Sequence, residues 1–166
     1  MTSISLDDQL AHAVELRNSG LAEAASDLLS ELIAQRPDDP QVNLQSAWTH
    51  DQLGLEKEAV PFYERALELG LTGDDLRHAL LGLGSTYRAL GEYEKSKAML
   101  TRGVEEFPED RGLQVFLAMA LYNNGRAKEA CELLLRLLSE TTAADDILVY
   151  RAAIDDYAAD LDRTWP

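Results

Sequence analysis

The chain has 166 residues, of which 46% are hydrophobic and 7% aromatic, enough apolar content to build a core and too much for a disordered segment. Thirty acidic against fifteen basic residues give a formal net charge of −15, which excludes phosphate backbones and anionic lipid surfaces as natural partners at ordinary salt. Cys131 is the only cysteine, so neither an intrachain disulfide nor a thiolate metal cluster can form.

Residues 1–8 carry neither a basic nor a long apolar stretch, and no later apolar run is long enough to span a bilayer, so the expectation is a cytoplasmic chain without membrane contact. Ser3 or Ser5 can cap a first helix with Leu6, Leu10, Ala13, Val14 and Leu16 at helical spacing, ended by Asn18-Ser19-Gly20. A second helix follows with Ala25, Leu28, Leu29, Leu32 and Ile33 on its apolar stripe, and the stretch from Arg36 to Pro40 stops it. Pro40 suits the first turn of a third helix, which carries Val42, Leu44, Ala47 and Trp48 and stops at Gly54. The fourth carries Ala59, Phe62, Tyr63, Ala66 and Leu67, with Pro61 inside it as a predicted bend. Thr72, with Asp75 three residues on, starts a longer fifth helix as a cap.

The fifth helix bears Leu80, Leu83, Gly84 and Tyr87 and turns at Gly91; the sixth bears Tyr93, Ser96, Met99, Leu100 and Val104 and ends at Phe107-Pro108. Leu113, Leu117, Ala118 and Leu121 mark a seventh helix, and Ala127, Ala130, Leu134, Leu137 and Leu138 an eighth. A ninth amphipathic helix is expected over about 144–162. Ile147, Tyr150, Ile154, Tyr157, Ala158 and Leu161 face inward on it, with aspartates outward.

Gly20, Gly54, Gly91 and Gly125 stand 34, 37 and 34 residues apart, and each is followed five residues later by Ala25, Ala59, Ser96 or Ala130. A fixed period of this length signals stacked supersecondary units, each burying its apolar face against its neighbours. The small residues at the predicted crossings are Ala13, Ala47, Gly84 and Ala118 on the first helices, paired with those four on the second helices. They let antiparallel helices approach closely.

This pattern resembles the tetratricopeptide repeat. Leu83-Gly84-Ser85-Thr86-Tyr87 followed by Gly91 and Tyr93 matches it best, and Pro37 and Pro108 fall at the repeat ends. Leu71 and Thr142 replace that proline in the second and fourth repeats, and His50 replaces an aromatic. The stretch from Leu83 onward is similar to small bacterial proteins of the family, sometimes classed as group 5. The resemblance implies an all-α, right-handed α-solenoid of four helix-turn-helix repeats, about 6–39, 40–73, 74–110 and 111–142, in a single domain 1–166 closed by the capping helix.

The resemblance also implies that the first helix of each repeat lines a concave groove where peptides bind. Carried over residue by residue, the groove comprises Leu10, Val14 and Arg17, then Leu44, Gln45, Trp48 and Gln52, then His78, Ser85 and Arg88, and finally Met119, Tyr122 and Asn123. Leu10, Val14, Gln45, His78 and Gly82 stand where some family members grip a terminal carboxylate, so that clamp is missing. Trp48, Phe116 and Met119 suit either ligand contact or packing between repeats. Arg17 and Arg88 are isolated bases whose ordinary role is a surface ion pair. Asn18 and Asn123 can serve as helix-end caps, and Trp165 can dock on the last helices or stay free.

No phosphate loop, dinucleotide fingerprint, nucleophile elbow or zinc-protease motif occurs, and Asp155 and Asp156 diverge on a helix, so no catalytic residue, cofactor or metal is expected. His12, His50 and His78 read as interior or boundary histidines, and Cys131 as a small buried hydrophobe. The resulting expectation is a non-catalytic scaffold or adaptor that binds a protein or peptide in its groove. The alternative is a structural protein that associates with itself, as in a homodimer.

Overall fold

The structure is a computed structural model that describes residues 5–164. Among these residues all regular structure is helical: α1 (Leu6–Asn18), α2 (Ala22–Gln35), α3 (Pro40–Gln52), α4 (Glu56–Glu68), α5 (Gly73–Ala89), α6 (Tyr93–Glu106), α7 (Arg111–Asn123), α8 (Ala127–Thr141), α9 (Asp145–Leu148) and α10 (Arg151–Ala159). Two compact units divide the chain, one ending at Glu92 and the other beginning at Tyr93.

In the first unit, the Ser5 hydroxyl accepts from the Asp8 amide and caps α1, while the other candidate, Ser3, lies outside the described residues. Asp39 caps α3 by accepting from the Gln41 and Val42 amides, with Pro40 at the first helical position. Thr72 occupies the cap position of α5 but makes no side-chain cap bond; the three inserted residues become a buried Leu71 and a longer helix. α4 runs unbroken through Pro61.

Ala13, Ala25, Ala47 and Ala59 are all fully buried, so the small residues lie in the core as their spacing requires. Around them, Leu29, Leu32 and Val42 pack with Leu6, Leu10, Leu28 and Ile33. α3 packs against α1, α2, α4 and α5, which makes it the most enclosed helix of this unit.

The helix ends share one construction. Gly20, Gly54 and Gly91 have φ between 71° and 81°, and the residue after each donates back to a carbonyl five positions earlier: Leu21 to Leu16, Leu55 to His50 and Glu92 to Tyr87, each at 2.9 Å. These are Schellman ends, where glycine adopts the left-handed conformation without strain.

The second unit repeats the device at Gly125 (φ 74°), with Arg126 donating to the Leu121 carbonyl at 2.9 Å. Its core joins buried Ala118, Leu121 and Ala130 with Leu117 and Leu133. The expected ninth helix is two helices. The α-helical run is interrupted by a turn at Val149-Tyr150, where the Tyr150 amide donates to the Ile147 carbonyl at 2.9 Å, and beyond it Arg151 turns its guanidinium to the Ser139 carbonyl (Nε 3.0 Å, Nη2 2.7 Å). α10 ends at Ala159 because Asp160 adopts extended backbone and its carboxylate binds Lys128. Only Ala158 of the inward set is fully buried; Ile147 and Ile154 are half-buried, and Tyr150, Tyr157 and Leu161 are exposed. Trp165 lies outside the described residues. No described helix is long and apolar enough to cross a membrane.

Candidate functional site

Three first helices of the first unit bring part of the expected groove together. The Arg17 guanidinium of α1 stands over the indole of Trp48 on α3, 5.1 Å from the ring centroid. His78 of α5 meets the same indole edge-on at 6.0 Å. Arg17 Nη1 donates to Gln45 Oε1 and Nη2 to Asn18 Oδ1 at 3.2 Å, while Gln52 Nε2 donates to the Arg17 carbonyl at 3.4 Å. Trp48 is therefore a half-buried ring fixed by a cation on one helix and an imidazole on another. His78 Nε2 accepts from Arg77 Nη2 at 2.9 Å, since a guanidinium can only donate.

Leu10 and Val14 are half-buried on α1, and Leu10 packs on the Ala13–Leu29 core. Leu44 is 0% exposed and does not line an open face. The packing of four helices around α3 buries Val42, Asn43, Leu44, Ser46, Ala47 and Thr49, while Gln41, Gln45, Trp48 and Gln52 form an accessible stripe along it.

Arg17 and Arg88 depart from their expected role, because neither forms an ion pair among the described residues. Burial lowers the Arg17 pKa, although a guanidinium stays charged. Arg88 is half-buried, and its Nε is enclosed without a hydrogen-bond partner.

Ser85 lines a depression of about 200 Å³ with Asp51, Glu56, Thr86 and Ala89. Beneath it lies a polar network that the sequence reading missed. Tyr63 Oη donates to Asp51 Oδ2 at 2.7 Å, and Thr86 Oγ1 lies 3.0 Å from both Asp51 oxygens and 2.9 Å from the Gly82 carbonyl. With one proton, that hydroxyl donates to one acceptor at a time. Burial pushes the Asp51 carboxyl above its ordinary pKa against the pull of the two hydroxyls, and nearby Glu56 adds to the rise. Burial also raises the Tyr63 phenol, reinforced by Asp51. Gly82 makes room for the tyrosine: a Cβ there would stand 2.4 Å from Tyr63 Oη. A glycine facing a tyrosine across two helices leaves no periodic signal in one sequence.

In the second unit, Met119 is half-buried, Tyr122 is 67% exposed, and Asn123 has an enclosed Oδ1 without a partner. Asn124, not Asn123, ties down the helix end, donating to the Ala120 and Tyr93 carbonyls at 2.8 and 2.9 Å. Asn18 accepts from Arg17 instead of capping through its side chain. Phe116 is half-buried.

Of the histidines, only His50 occupies a boundary, stacked on Phe62 at 5.0 Å with Nδ1 2.7 Å from the Ser46 carbonyl; His12 and His78 are exposed. His12 corresponds by the repeat to buried Ser46, but its helix has no earlier repeat against it among the described residues. Cys131 is also exposed, correcting the expectation of a buried thiol: it lies one step around the helix from buried Ala130, at the repeat position of Lys97. No described group of three or more His, Cys, Asp or Glu residues is arranged to hold a metal ion.

A family model described as tetratrico peptide repeat matches residues 40–161. No curated protein matches the chain. Among solved structures, YrrB, described as a TPR protein with an unusual peptide-binding site, is 19% identical with a TM-score of 0.74, covering 96% of this chain and 79% of that one. A MamA structure (AMB-1) is 19% identical with a TM-score of 0.72, covering 88% and 79% respectively. A Podospora anserina putative kinesin light chain with nearly identical TPR-like repeats is 21% identical with a TM-score of 0.69, covering 94% and 90%. At these identities the likeness speaks for the fold, an α-solenoid of helix-turn-helix repeats.

Proposed function

This chain belongs to the tetratrico peptide repeat family, and from that premise we propose that it is an adaptor holding a partner's peptide segment on the face of Arg17, Gln45, Trp48 and His78. The observation that carries this reading is the fixed, half-buried indole of Trp48 with amide groups beside it. A rigid aromatic in a rim of hydrogen-bonding groups has the makeup of an interface anchor. The likeness to YrrB, a peptide-binding TPR protein by its description, supports the same mode. All four repeats and the segment after them act in this reading as one binding domain. The reading assigns it no catalysis; Asp155 accepts from Ser139 and Asp156 pairs with Arg163.

The test is capture of a partner from native lysate by wild type and by Trp48→Ala. Capture should disappear while the helical circular dichroism and melting persist; undiminished capture by the variant overturns the reading.

Self-association is the second reading, favoured by the exposed apolar side chains of the second unit: Val149 and Tyr150 are 74% and 64% exposed, and Tyr157, Leu134 and Leu138 are exposed as well. Sedimentation showing a monomer at every concentration would dismiss it.

A further inference from the structure

The first unit contains five arginines among sixteen carboxylates, and the pairing among them is selective. Arg36 binds Asp7 and Asp39, Arg65 binds Asp38 and Glu68, and Arg77 binds Asp74. Arg17 and Arg88 have no carboxylate among the described residues, although acids outnumber bases in this unit by more than two to one. The partners of Arg17 are two neutral amide oxygens, and Arg88 keeps an enclosed Nε unsatisfied.

Both residues stand at one repeat position, three before the turn glycines Gly20 and Gly91, and Asp51 holds that position before Gly54. Asp51 does not neutralise them, because its carboxylate is committed to the Tyr63 and Thr86 hydroxyls. A partly desolvated cation without a counter-charge is unfavourable in the free protein, and an incoming carboxylate relieves that cost.

We propose that the first unit selects an acidic segment of its partner, with carboxylate side chains pairing with Arg17 and Arg88 and an apolar side chain resting on Trp48. This rests on the peptide-binding reading above and adds the chemistry of what is bound. The selection is local. It works against the overall charge of −15, which slows the approach of an acidic segment, and that repulsion weakens as salt is added.

The experiment measures binding of the full chain to short fluorescent peptides, acetylated and amidated so that no terminal charge takes part. Phenylalanine alternates with glutamate, glutamine or lysine in the three versions. The glutamate peptide should bind at least about tenfold more tightly than the other two, the least expected when a desolvated charge pair is removed. Arg17→Gln and Arg88→Gln should each lower affinity for the glutamate peptide by more than they lower it for the glutamine peptide, so that the preference for glutamate shrinks. Arg17→Lys and Arg88→Lys, which keep the charge, should retain part of the preference, and helical signal and melting report on folding. Preference for lysine, loss of affinity for all three peptides alike in the arginine variants, or no binding of the glutamate peptide overturns the proposal. Equal binding of all three, abolished by Trp48→Ala, would sink the acidic selection and leave the peptide-binding reading standing.

Discussion

Replacing Gly82 with alanine tests whether the Tyr63–Asp51 network organises α3, α4 and α5. In an ordinary helix interior the change should stabilise by about 1 kcal/mol through backbone entropy. Here the new methyl would stand 2.4 Å from Tyr63 Oη, 2.7 Å from Cζ and 2.9 Å from Cε1, and Tyr63, at 1% exposure, has little room to withdraw. Overpacking of this kind costs about 1–3 kcal/mol, and displacing the phenol from a carboxylate acceptor adds roughly 1.5 kcal/mol. Set against the helix gain, the expected loss is roughly 2–3 kcal/mol, read as a lower urea midpoint at unchanged slope. Tyr63→Phe removes the nearest clashing atom, so Gly82→Ala should cost about 1 kcal/mol less in that background. Gly103→Ala is the comparator, since its methyl meets Leu113 Cδ2, the rotatable end of a leucine, at 2.6 Å. Its loss should be smaller. If Gly82→Ala were neutral or stabilising, or cost the same with and without the tyrosine hydroxyl, the packing argument would fail.

Asp39→Ala removes a cap that accepts from two amides and binds Arg36, and should cost about 1–2 kcal/mol in denaturation. Asp39→Asn should recover at least half of that loss; an asparagine variant as unstable as the alanine would show that capping is not the cause. Asp51→Asn tests the raised carboxyl. Because the folded state holds this proton more tightly than the unfolded chain, wild-type stability falls as pH rises through the ordinary carboxylate range and the raised folded value. The melting temperature of Asp51→Asn relative to wild type should therefore increase as pH rises through and above the ordinary carboxylate range; a difference that is flat or decreases would contradict the assignment.

The helix–turn–helix register was legible because two constraints repeat visibly: a glycine where the chain must enter the left-handed region, and a small residue where helices cross. What a periodic reading cannot supply is how many neighbours each helix has. Leu44 was expected on an open face and is buried because α3 has helices on both flanks; His12 was expected inside and is exposed because, among the described residues, no helix packs on that side of α1. The end of the chain misled for the same reason. Helical spacing from Ile147 to Leu161 is real, but the chain turns at Val149-Tyr150 and becomes extended at Asp160, beside the contacts of Arg151 with Ser139 and of Asp160 with Lys128. Trp48 was identifiable as a candidate, whereas the freedom of Arg17 and Arg88 from carboxylates was not, since an acidic sequence offers partners everywhere and only geometry shows which are reached.

The Schellman ends also act as rulers. Each face residue is measured backward from its own turn, so Arg17, Asp51 and Arg88 keep a constant offset even though three residues enter the chain between Gly54 and Gly91. That insertion falls upstream of the yardstick, at the start of α5, and leaves the register of the display surface untouched. Length and recognition are thereby uncoupled: the connection before a first helix can grow or shrink, while a single residue added between face and turn would rotate the presented side chain by about 100°.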